Sequence, residues 1–249
     1  MTRGMYTAAT GMLANQAAQD AIAQNLANAN TTGYKQDIPR FQSFNETLMQ
    51  RMSGSGSAAV GGLGHGVSLH DVVTDFSDGS QQMTGNPLDI ALTGDAALVI
   101  QTSNGIRESR DGALTLDPSG ALVQANGSGA ILGDNGQPIR VPAKAKNITI
   151  SPQGEIDADG KRVGRLRLVG LSRTSGAVKM GDNQFIESAL RPASPAASVK
   201  QGYLEMSNVS VVKEMVAMIA IQRAYETDQK MVQAEDDATG KAVTEVAKV

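Results

Sequence analysis

The acidic segment Glu155–Gly160, EIDADG, has the residue types of a calcium-binding loop. Acidic side chains stand at its first, third and fifth positions and a glycine at its sixth, as such a loop requires. The twelfth position, where a bidentate Glu is needed, is Leu166. Because alternating apolar runs flank the segment, we predict a β-hairpin turn in which Gly160 supplies a positive φ, and no calcium site.

Two further groups of residues could do chemistry. His65, His70 and Asp71 are metal-ligand types, but histidines five residues apart do not share a face as helical i, i+4 ligands do. Glu108 and Asp111 could act as general acid and base, yet Asp111 precedes a glycine, as turn residues often do. The sequence has no Walker loop and no G-x-S-x-G motif. We therefore predict no catalytic, cofactor-binding or metal-binding residues.

The composition narrows the classes of partner. The 249 residues include no cysteine, which excludes disulfides and thiolate metal sites. A net charge of −3 gives no overall attraction for nucleic acid. No apolar run approaches the roughly 18 residues of a membrane span, and the first residues lack the apolar region of a signal peptide. We expect no nucleic-acid partner, no membrane insertion and, if the protein is exported, a route without a cleaved signal peptide.

A long helix is predicted at the front of the chain, spanning about 24 residues from Met5. Its sequence ends in NLANANTTGYK, Asn25–Lys35, which predicts a turn made by Asn28, Asn30 and Gly33. We expect Gly33 to take a positive φ and to end the helix. One heptad frame places small or apolar residues on its core positions, with polar interruptions at Asn15 and Gln19, and so predicts a weak coiled-coil seam. These core residues are Met5, Ala8, Met12, Ile22, Leu26 and Ala29.

The middle of the chain predicts a β domain that folds on its own. Ser43 and Glu46 fit a capping box for a short second helix over residues 47–52. Residues 53–66 carry six glycines, which predicts a flexible linker or loop. Alternating runs over residues 67–199 then predict hairpins without a helix. The predicted turn pairs are Asn104-Gly105, Asp111-Gly112, Asn126-Gly127, Asn135-Gly136 and Asp159-Gly160.

A second long helix is predicted after Asn208, a good N-cap. Its stripe is two rows wide, which is more apolar face than one partner helix covers, so it should pack against several. The rows are Val209, Val212, Val216 and Ile219, and Val211, Met215, Met218, Tyr225 and Val232. The predicted fold class is α+β, with residues 1–52 and 200–249 forming a coiled-coil-like helical layer around the central β domain.

Three stretches of the chain resemble the bacterial flagellar rod and hook family. They are YTAATGMLANQAAQDAIAQNLANANTTGYK at residues 6–35, TGNPLDIALTGDAALVIQTSNGIRESRDGALTLDPSGALV at residues 84–123, and QGYLEMSNVSVVKEMVAMIAIQRAYETDQKMVQ at residues 201–233. Three motifs in this order are highly specific. One departure is Ala96-Ala97-Leu98, where relatives usually carry a Gly followed by aromatic residues, so local packing is in question there.

The resemblance implies a structural protein, not an enzyme, that uses no cofactor. It implies self-association into a helical polymer, contacts with other rod and hook proteins, export by the flagellar type III apparatus, and a place in the flagellar basal body. The terminal helices of relatives pair in the wall of the axial tube. The implied assembly interface comprises Met5, Met12, Ile22, Leu26, Val209, Val212, Met215, Val216, Met218, Ile219 and Tyr225.

Chain length within the family leaves two kinds of subunit, an FlgF-type proximal and an FlgG-type distal rod protein. The short Gly-rich segment after Met52 favours the FlgF type, and both remain open. The alternative outside the family is a carbohydrate- or protein-binding β module that is not part of a filament. That module would be hydrolytic if Glu108 and Asp111 acted together.

Overall fold

The fold is described from a computed structural model of the chain, which describes residues 2–43, 47–53, 56–64, 66–142, 145, 147–171, 177–181, 183–186, 191–194 and 197–246. A helix at each end of the sequence flanks a region rich in strands, which confirms the predicted α+β class. In order along the chain the elements are α1 Thr2–Ala27, β1 Asp37–Ser43, β2 Thr47–Ser53, β3 Gly56–Leu63, β4 Val67–Thr74, β5 Gln81–Met83, β6 Ile90–Thr93, β7 Ala96–Thr102, β8 Gly105–Ser109, β9 Leu114–Leu116, β10 Leu122–Gln124, β11 Ala130–Ile131, β12 Ile148–Ile150, β13 Glu155–Ala158, β14 Lys161–Arg165, β15 Leu168–Gly170, β16 Val178–Gly181, β17 Gln184–Ile186, β18 Arg191–Pro192, β19 Ser198–Gln201, β20 Tyr203–Glu205 and α2 Val211–Val246.

The chain divides into two compact units. The helical unit comprises residues 1–26, 37–73 and 211–249, and the β unit comprises residues 27–36 and 74–210. This grouping places residues 53–73 with the helices. It also places residues 27–36, directly after most of α1, with the strands.

Strand β7 is the centre of the β unit. It pairs antiparallel with β8, β11 and β15, so both of its edges are hydrogen-bonded. Its alternate residues enter two apolar clusters, with Leu98 and Ile100 in the larger one and Ala97 and Val99 in the smaller. Because side chains of a strand alternate between faces, β7 is buried on both sides. Ala96, Ala97 and Leu98 are fully buried in these two clusters.

Four of the five predicted turn pairs connect antiparallel partners. Asn104-Gly105 joins β7 to β8, Asn126-Gly127 lies between β10 and β11, and Asp159-Gly160 joins β13 to β14. Asn135-Gly136 lies inside the bridge between Leu132 and Pro138. Asp159 and Gly160 both have positive φ, 51° and 77°, which confirms the hairpin predicted in place of a calcium loop.

The fifth pair, Asp111-Gly112, is not a hairpin turn, and that prediction is wrong. Both residues are buried between β8 and β9 in a segment without strand pairing. The Asp111 carboxylate accepts hydrogen bonds from Thr32 and from the backbone N–H of Ala113. Its residue type is explained by the buried bond from Thr32 and by the local Asx turn to Ala113, and not by a hairpin.

The predicted helix over residues 47–52 is also wrong, because these residues form β2. Strand β2 pairs with β3 along its whole length, from Thr47 opposite Leu63 to Ser53 opposite Gly56. Residues 44–46 of the proposed capping box lie outside the described residues. A six-residue segment is too short to be stable as an isolated helix, whereas a neighbouring strand satisfies its backbone groups. Part of the predicted Gly-rich linker is therefore strand.

Both long helices are present. Helix α1 ends at Ala27, close to the end that its predicted length from Met5 gives, and Gly33 has the expected positive φ of 67° but lies in the turn beyond the helix. Helix α2 begins at Val211, and the Asn208 side chain does not cap it because it bonds Gln36 N and Asp75 O. Within the described part of the chain, neither helix is long and apolar enough to cross a membrane.

We predict that residues 27–36 stabilise the β unit. The Gln36 carbonyl accepts the Asp75 N–H at 2.8 Å, so a short Gly-Ser linker can join residue 36 to residue 75 in place of the intervening chain. This joined fragment, ending at residue 210, should melt roughly 5 °C or more above the fragment 74–210, because the shorter one lacks the partners of several buried groups. Calorimetry measures both. Equal melting temperatures would contradict the assignment of residues 27–36 to the β unit.

Candidate functional site

Residues 28–36, called the docked turn here, are held against the strands of the β unit. The Gly33 N–H donates to the Glu205 carbonyl at 2.8 Å. A Cβ atom on Gly33 would come within 2.6 Å of backbone atoms of Arg110 and Asp111. Gly33 is therefore required twice, once for its left-handed conformation and once for this close approach of two backbones.

Four charged side chains form an ion cluster beneath the docked turn: Lys35, Asp78, Arg110 and Glu205. Glu205 accepts Lys35 Nζ at 2.6 Å on one carboxylate oxygen and Arg110 Nη2 at 2.9 Å on the other. Arg110 Nη2 also contacts Asp78 at 2.9 Å. The side chains of Lys35 and Arg110 are 0% exposed and that of Glu205 is 1% exposed, while Asp78 is 40% exposed. The cluster is neutral as a whole, with two cations and two carboxylates.

Backbone groups complete the hydrogen bonding of this ion cluster. Lys35 Nζ also donates to the Ser77 carbonyl at 2.6 Å, and the Gly79 N–H donates to Glu205 at 2.9 Å. Arg110 donates to the Gly94 carbonyl. Burial, followed by the nearby Arg110 charge, lowers the pKa of Lys35, while Glu205 opposes this shift. The buried cations thus keep close partners, which a buried charge requires.

The rest of the docked turn is bonded to three other parts of the β unit. Lys179 Nζ lies 3.7 Å from the centre of the buried Tyr34 ring and donates to the Lys35 carbonyl at 3.0 Å. Asn183, which itself has a positive φ of 55°, donates to the Thr32 carbonyl at 2.9 Å. Asn208 accepts the Gln36 N–H at 2.8 Å. The direction in which the chain continues after residue 27 is therefore fixed by side chains from β16, the β16–β17 turn and the segment before α2.

The carboxylates suggested as general acid and base are both buried. Glu108 is 3% and Asp111 is 5% exposed, so a substrate has no access to them as a pair. Asp111 Oδ1 accepts the Thr32 hydroxyl at 2.7 Å and holds the docked turn. Burial raises the pKa of Asp111, and the Thr32 hydrogen bond works against that shift. These contacts favour a structural role for Asp111.

The suggested metal ligands do not gather into a site among the described residues. Asp71 lies 3.8 Å from Arg40, in an exposed ion pair. His65 lies outside the described residues. In the part of the chain that the structure describes, no three His, Asp or Glu side chains come together as metal ligands.

In the helical unit, polar and small residues connect α1 and α2 in antiparallel order. Asn25 Nδ2 donates to Glu214 at 3.4 Å, and Asn15 Nδ2 donates to Asp228 at 2.9 Å. A side chain on Gly4 would collide with Glu235, and one on Gly11 would come within 2.9 Å of Asp228. Wherever a residue of α1 faces a residue of α2, their two residue numbers add up to about 239, as expected for an antiparallel pair. Asn25 also exchanges two hydrogen bonds with the Asp37 backbone, which ties β1 to α1.

The face of α2 that is not exposed repeats every three or four residues, as in a heptad pattern. This face comprises Glu214, Met218, Ile221, Tyr225, Asp228, Val232, Glu235, Thr239 and Ala242. Ala217 is also half-buried but does not fit this spacing. The facing residues of α1 lie one position before the predicted Met5, Met12 and Leu26. Glycine and asparagine occupy these positions, so the contact face is less apolar than the predicted seam.

The predicted assembly residues fall into three groups by exposure. Ile22 is buried. Half-buried residues are Met5, Met12, Leu26, Val209, Met218 and Tyr225, and exposed residues are Val212, Met215, Val216 and Ile219. Of the predicted turn residues, Asn28 accepts the Thr31 hydroxyl, Asn30 is exposed and Gly33 is buried. The role of these residues in assembly stays a prediction.

Sequence reasoning missed the residues that hold the docked turn. Lys35, Arg110 and Glu205 are separated by 75 to 170 positions, and no local pattern marks them as partners. Arg110 is followed by Asp-Gly, which indicates a turn and hides the buried role. The only signal in the sequence was Gly33 followed closely by a lysine, which a single sequence does not connect to distant charges.

Comparison with known proteins gives consistent matches along the chain. Family models described as flagella basal body rod protein, flagellar hook protein FlgE/F/G D1 domain, and flagellar basal body rod FlgEFG protein C-terminal match residues 5–35, 91–158 and 200–245. The chain is 32% identical to a flagellar basal-body rod protein FlgG of Bacillus subtilis, over 95% of the chain and 96% of that protein. It is 30% identical to a rod protein FlgF of Caulobacter vibrioides and 31% identical to the hook-basal body complex protein FlhO of Bacillus subtilis, in both cases over 100% of each chain.

We predict that Gly33→Ala is far more costly than an ordinary replacement of a left-handed glycine. Gly136 is the control, since it has a φ of 74° and a Cβ added there would meet nothing within 4 Å. Gly136→Ala should lower the free energy of unfolding by about 1 kcal/mol. Gly33→Ala should cost at least about 2 kcal/mol more, because the methyl group meets the Arg110 backbone. Urea unfolding of both variants decides it, and equal losses would contradict the close approach.

A second prediction concerns the shared carboxylate of the ion cluster. Glu205→Gln keeps the shape but leaves Lys35 and Arg110 with less negative charge, so it should cost about 3–5 kcal/mol. Glu155→Gln is the control: it removes an ion pair with Arg162 whose side chains are 39% and 57% exposed. Its effect should stay within about 1 kcal/mol. A loss of similar size in both variants would show that the buried cluster does not stabilise the β unit.

Proposed function

Since the chain belongs to the bacterial flagellar basal-body rod family, we propose that it is a structural, non-catalytic subunit of the rod that polymerises helically into the drive shaft. The observation that carries this proposal is the exposed apolar row on α2 formed by Val212, Met215, Val216 and Ile219. A row of this kind on a helix needs a cover, and repeated copies of the chain can supply it in a head-to-tail, non-closing contact.

We infer that α1 and α2 pair in a coiled-coil-like manner inside each subunit. The support is the heptad-like spacing of the less exposed α2 residues and the antiparallel hydrogen bonds at Asn15 and Asn25. Polar side chains in such a contact weaken it, so the pair gains stability from its neighbours in the polymer. The half-buried Met5, Met12 and Leu26 then contribute apolar area at the margins of the contact, and Tyr225 lies within it.

The proposed role of the docked turn is to hold residues 28–36 in one path against the strands of the β unit. A shaft that transmits torque needs each subunit to keep one conformation under load. The ion cluster provides directional contacts, which specify geometry more narrowly than apolar contacts do. Gly33, Lys35 and Arg110 would thus have a mechanical function.

Of the two rod subunits, the proposal favours the FlgF-type proximal one. Alignment with the FlgF relative covers both chains completely within 251 positions. The short segment between Met52 and Val67 also favours the FlgF-type subunit. Identities of 32% and 33% to FlgG proteins keep the FlgG-type distal subunit as the second candidate. Expression of the chain in strains that lack one or the other subunit separates the two, since only the matching strain should regain swimming.

The partners proposed are copies of this chain, neighbouring rod and hook proteins, and the flagellar type III export apparatus. The location proposed is the basal body, reached without a cleaved signal peptide. Two observations support a passive structural role. The candidate carboxylates Glu108 and Asp111 are buried, and the relatives carry the names of rod proteins.

We predict that Ile219→Asp abolishes assembly and leaves the subunit folded. Ile219 is 52% exposed in the single chain, so an aspartate there is solvated before assembly and buried without a partner after it. The melting temperature of the purified subunit should stay within about 2 °C, because exposed substitutions cost little. Electron microscopy and swimming assays measure the loss of rods.

The matched control is Ile219→Val, which keeps an apolar side chain at the same position. It should assemble and support swimming. Normal swimming of the Ile219→Asp strain would show that the α2 row is not an assembly surface, and would favour the alternative of a β module outside a filament.

A further inference from the structure

The outward face of α1 is apolar only in its first half. Tyr6 and Leu13 are 70% and 67% exposed and stand seven residues apart on one face, with Ala9 between them. We call these three residues the first-helix patch. Beyond Leu13 the larger exposed side chains on this side of the helix are polar, namely Gln16, Asp20 and Gln24. The patch therefore ends at a definite point along the helix.

Helix α2 repeats this arrangement. Val212, Met215, Val216 and Ile219, the second-helix patch, occupy the face opposite the contacts with α1. The exposed residues that follow on that face are Arg223, Glu226, Lys230, Gln233 and Asp237. Both helices thus have an outward face that is apolar in its first half and polar afterwards.

The antiparallel order of the helices places the two patches at opposite ends of the pair. Gly4 faces Glu235 and Asn25 faces Glu214, so Tyr6 lies level with Gln233 and the second-helix patch lies level with residues 20–27 of α1. The patch centres are separated by about fourteen residues, roughly 21 Å along the axis at a rise of 1.5 Å per residue. Within one subunit, therefore, neither patch can cover the other.

We propose that the first-helix patch of one copy packs on the second-helix patch of the next copy, displaced by roughly 21 Å along the helix axis. This inference rests on the proposed rod function and adds the identity and register of the contact. In a polymer with all copies pointing the same way, α1 of one copy runs antiparallel to α2 of its neighbour. Tyr6 then faces Ile219, and Leu13 faces Val212.

Three observations favour a second copy as the occupant. The two patches have the same length, seven residues along one helix face, which is about 10 Å. In the proposed register Thr2, the first residue of α1, lies level with Arg223, where the apolar part of the α2 face ends. The patches also differ in composition and lie on different helices, so the contact is heterologous and propagates without closing.

The test uses introduced cysteines in the full chain, which contains none of its own. The variants Tyr6→Cys/Ile219→Cys and Leu13→Cys/Val212→Cys place a thiol on each patch at facing positions. The control Tyr6→Cys/Val212→Cys carries thiols on the same two patches but seven residues out of register, about 10 Å, which is beyond disulfide reach. Each double variant is expressed in a strain that lacks this rod subunit, and swimming is scored under reducing conditions. The rods are then oxidised, and their subunits are separated on non-reducing gels.

We expect the two facing pairs to give a ladder of dimers, trimers and larger species, and the control pair to remain monomeric. A single closed dimer band would overturn the head-to-tail contact. If the cells swim but neither facing pair gives a ladder, or if the control pair gives one, the proposed register is wrong while the rod function stands. The patches would then cover another rod protein. A wild-type chain that forms no rods and restores no swimming would overturn both proposals together.

Discussion

Glu205 is the carboxylate that Lys35 and Arg110 share inside the β unit, at 2.6 and 2.9 Å. It stands at the end of β20, Lys35 follows the first helix by eight residues, and Arg110 follows β8. Three distant parts of the sequence therefore meet at one side chain. Because removal of any of these charges leaves another with fewer partners in a buried region, the three positions depend on one another.

Buried ion pairs in proteins can often be replaced by apolar residues of similar volume without loss of stability, since the desolvation of charges is costly. The charged groups provide directional contacts. The hydrogen bonds of Glu205 and Arg110, together with the bond from the Gly33 N–H to the Glu205 carbonyl, restrict the position of the Gly33–Lys35 backbone. Apolar contacts are less directional and tolerate small displacements. Polar contacts therefore fix the course of the backbone at Gly33, whereas apolar contacts form the core of the β unit.

The sequence was sufficient to predict what local patterns determine. Periodicity identified both helices, and Asn-Gly or Asp-Gly pairs identified four hairpin turns, because these depend on neighbouring residues. It failed where distant residues decide. Asp111 looked like a turn residue and is a buried acceptor for Thr32, residues 47–52 looked helical and pair with β3, and Asn208 looked like an N-cap and bonds Gln36. Ala8 and Ile22 of the predicted α1 seam are buried as expected, but Met5, Met12 and Leu26 were placed one residue too late. Large side chains suggested these positions, whereas small ones permit the approach of α2.

The hydrogen bond from the Asp75 N–H to the Gln36 carbonyl means that the chain leaves the β unit and returns to it at adjacent points. The segment between Gln36 and Asp75 contains β1 to β4, and this hydrogen bond already holds the two ends of the segment together. Its length can therefore change by insertion or deletion without stretching the β unit or separating Lys35 from Glu205. Because the entropy cost of loop closure grows only slowly with loop length, related chains can differ in length here at little cost in folding free energy. Such variation would leave the charged anchor of the turn intact.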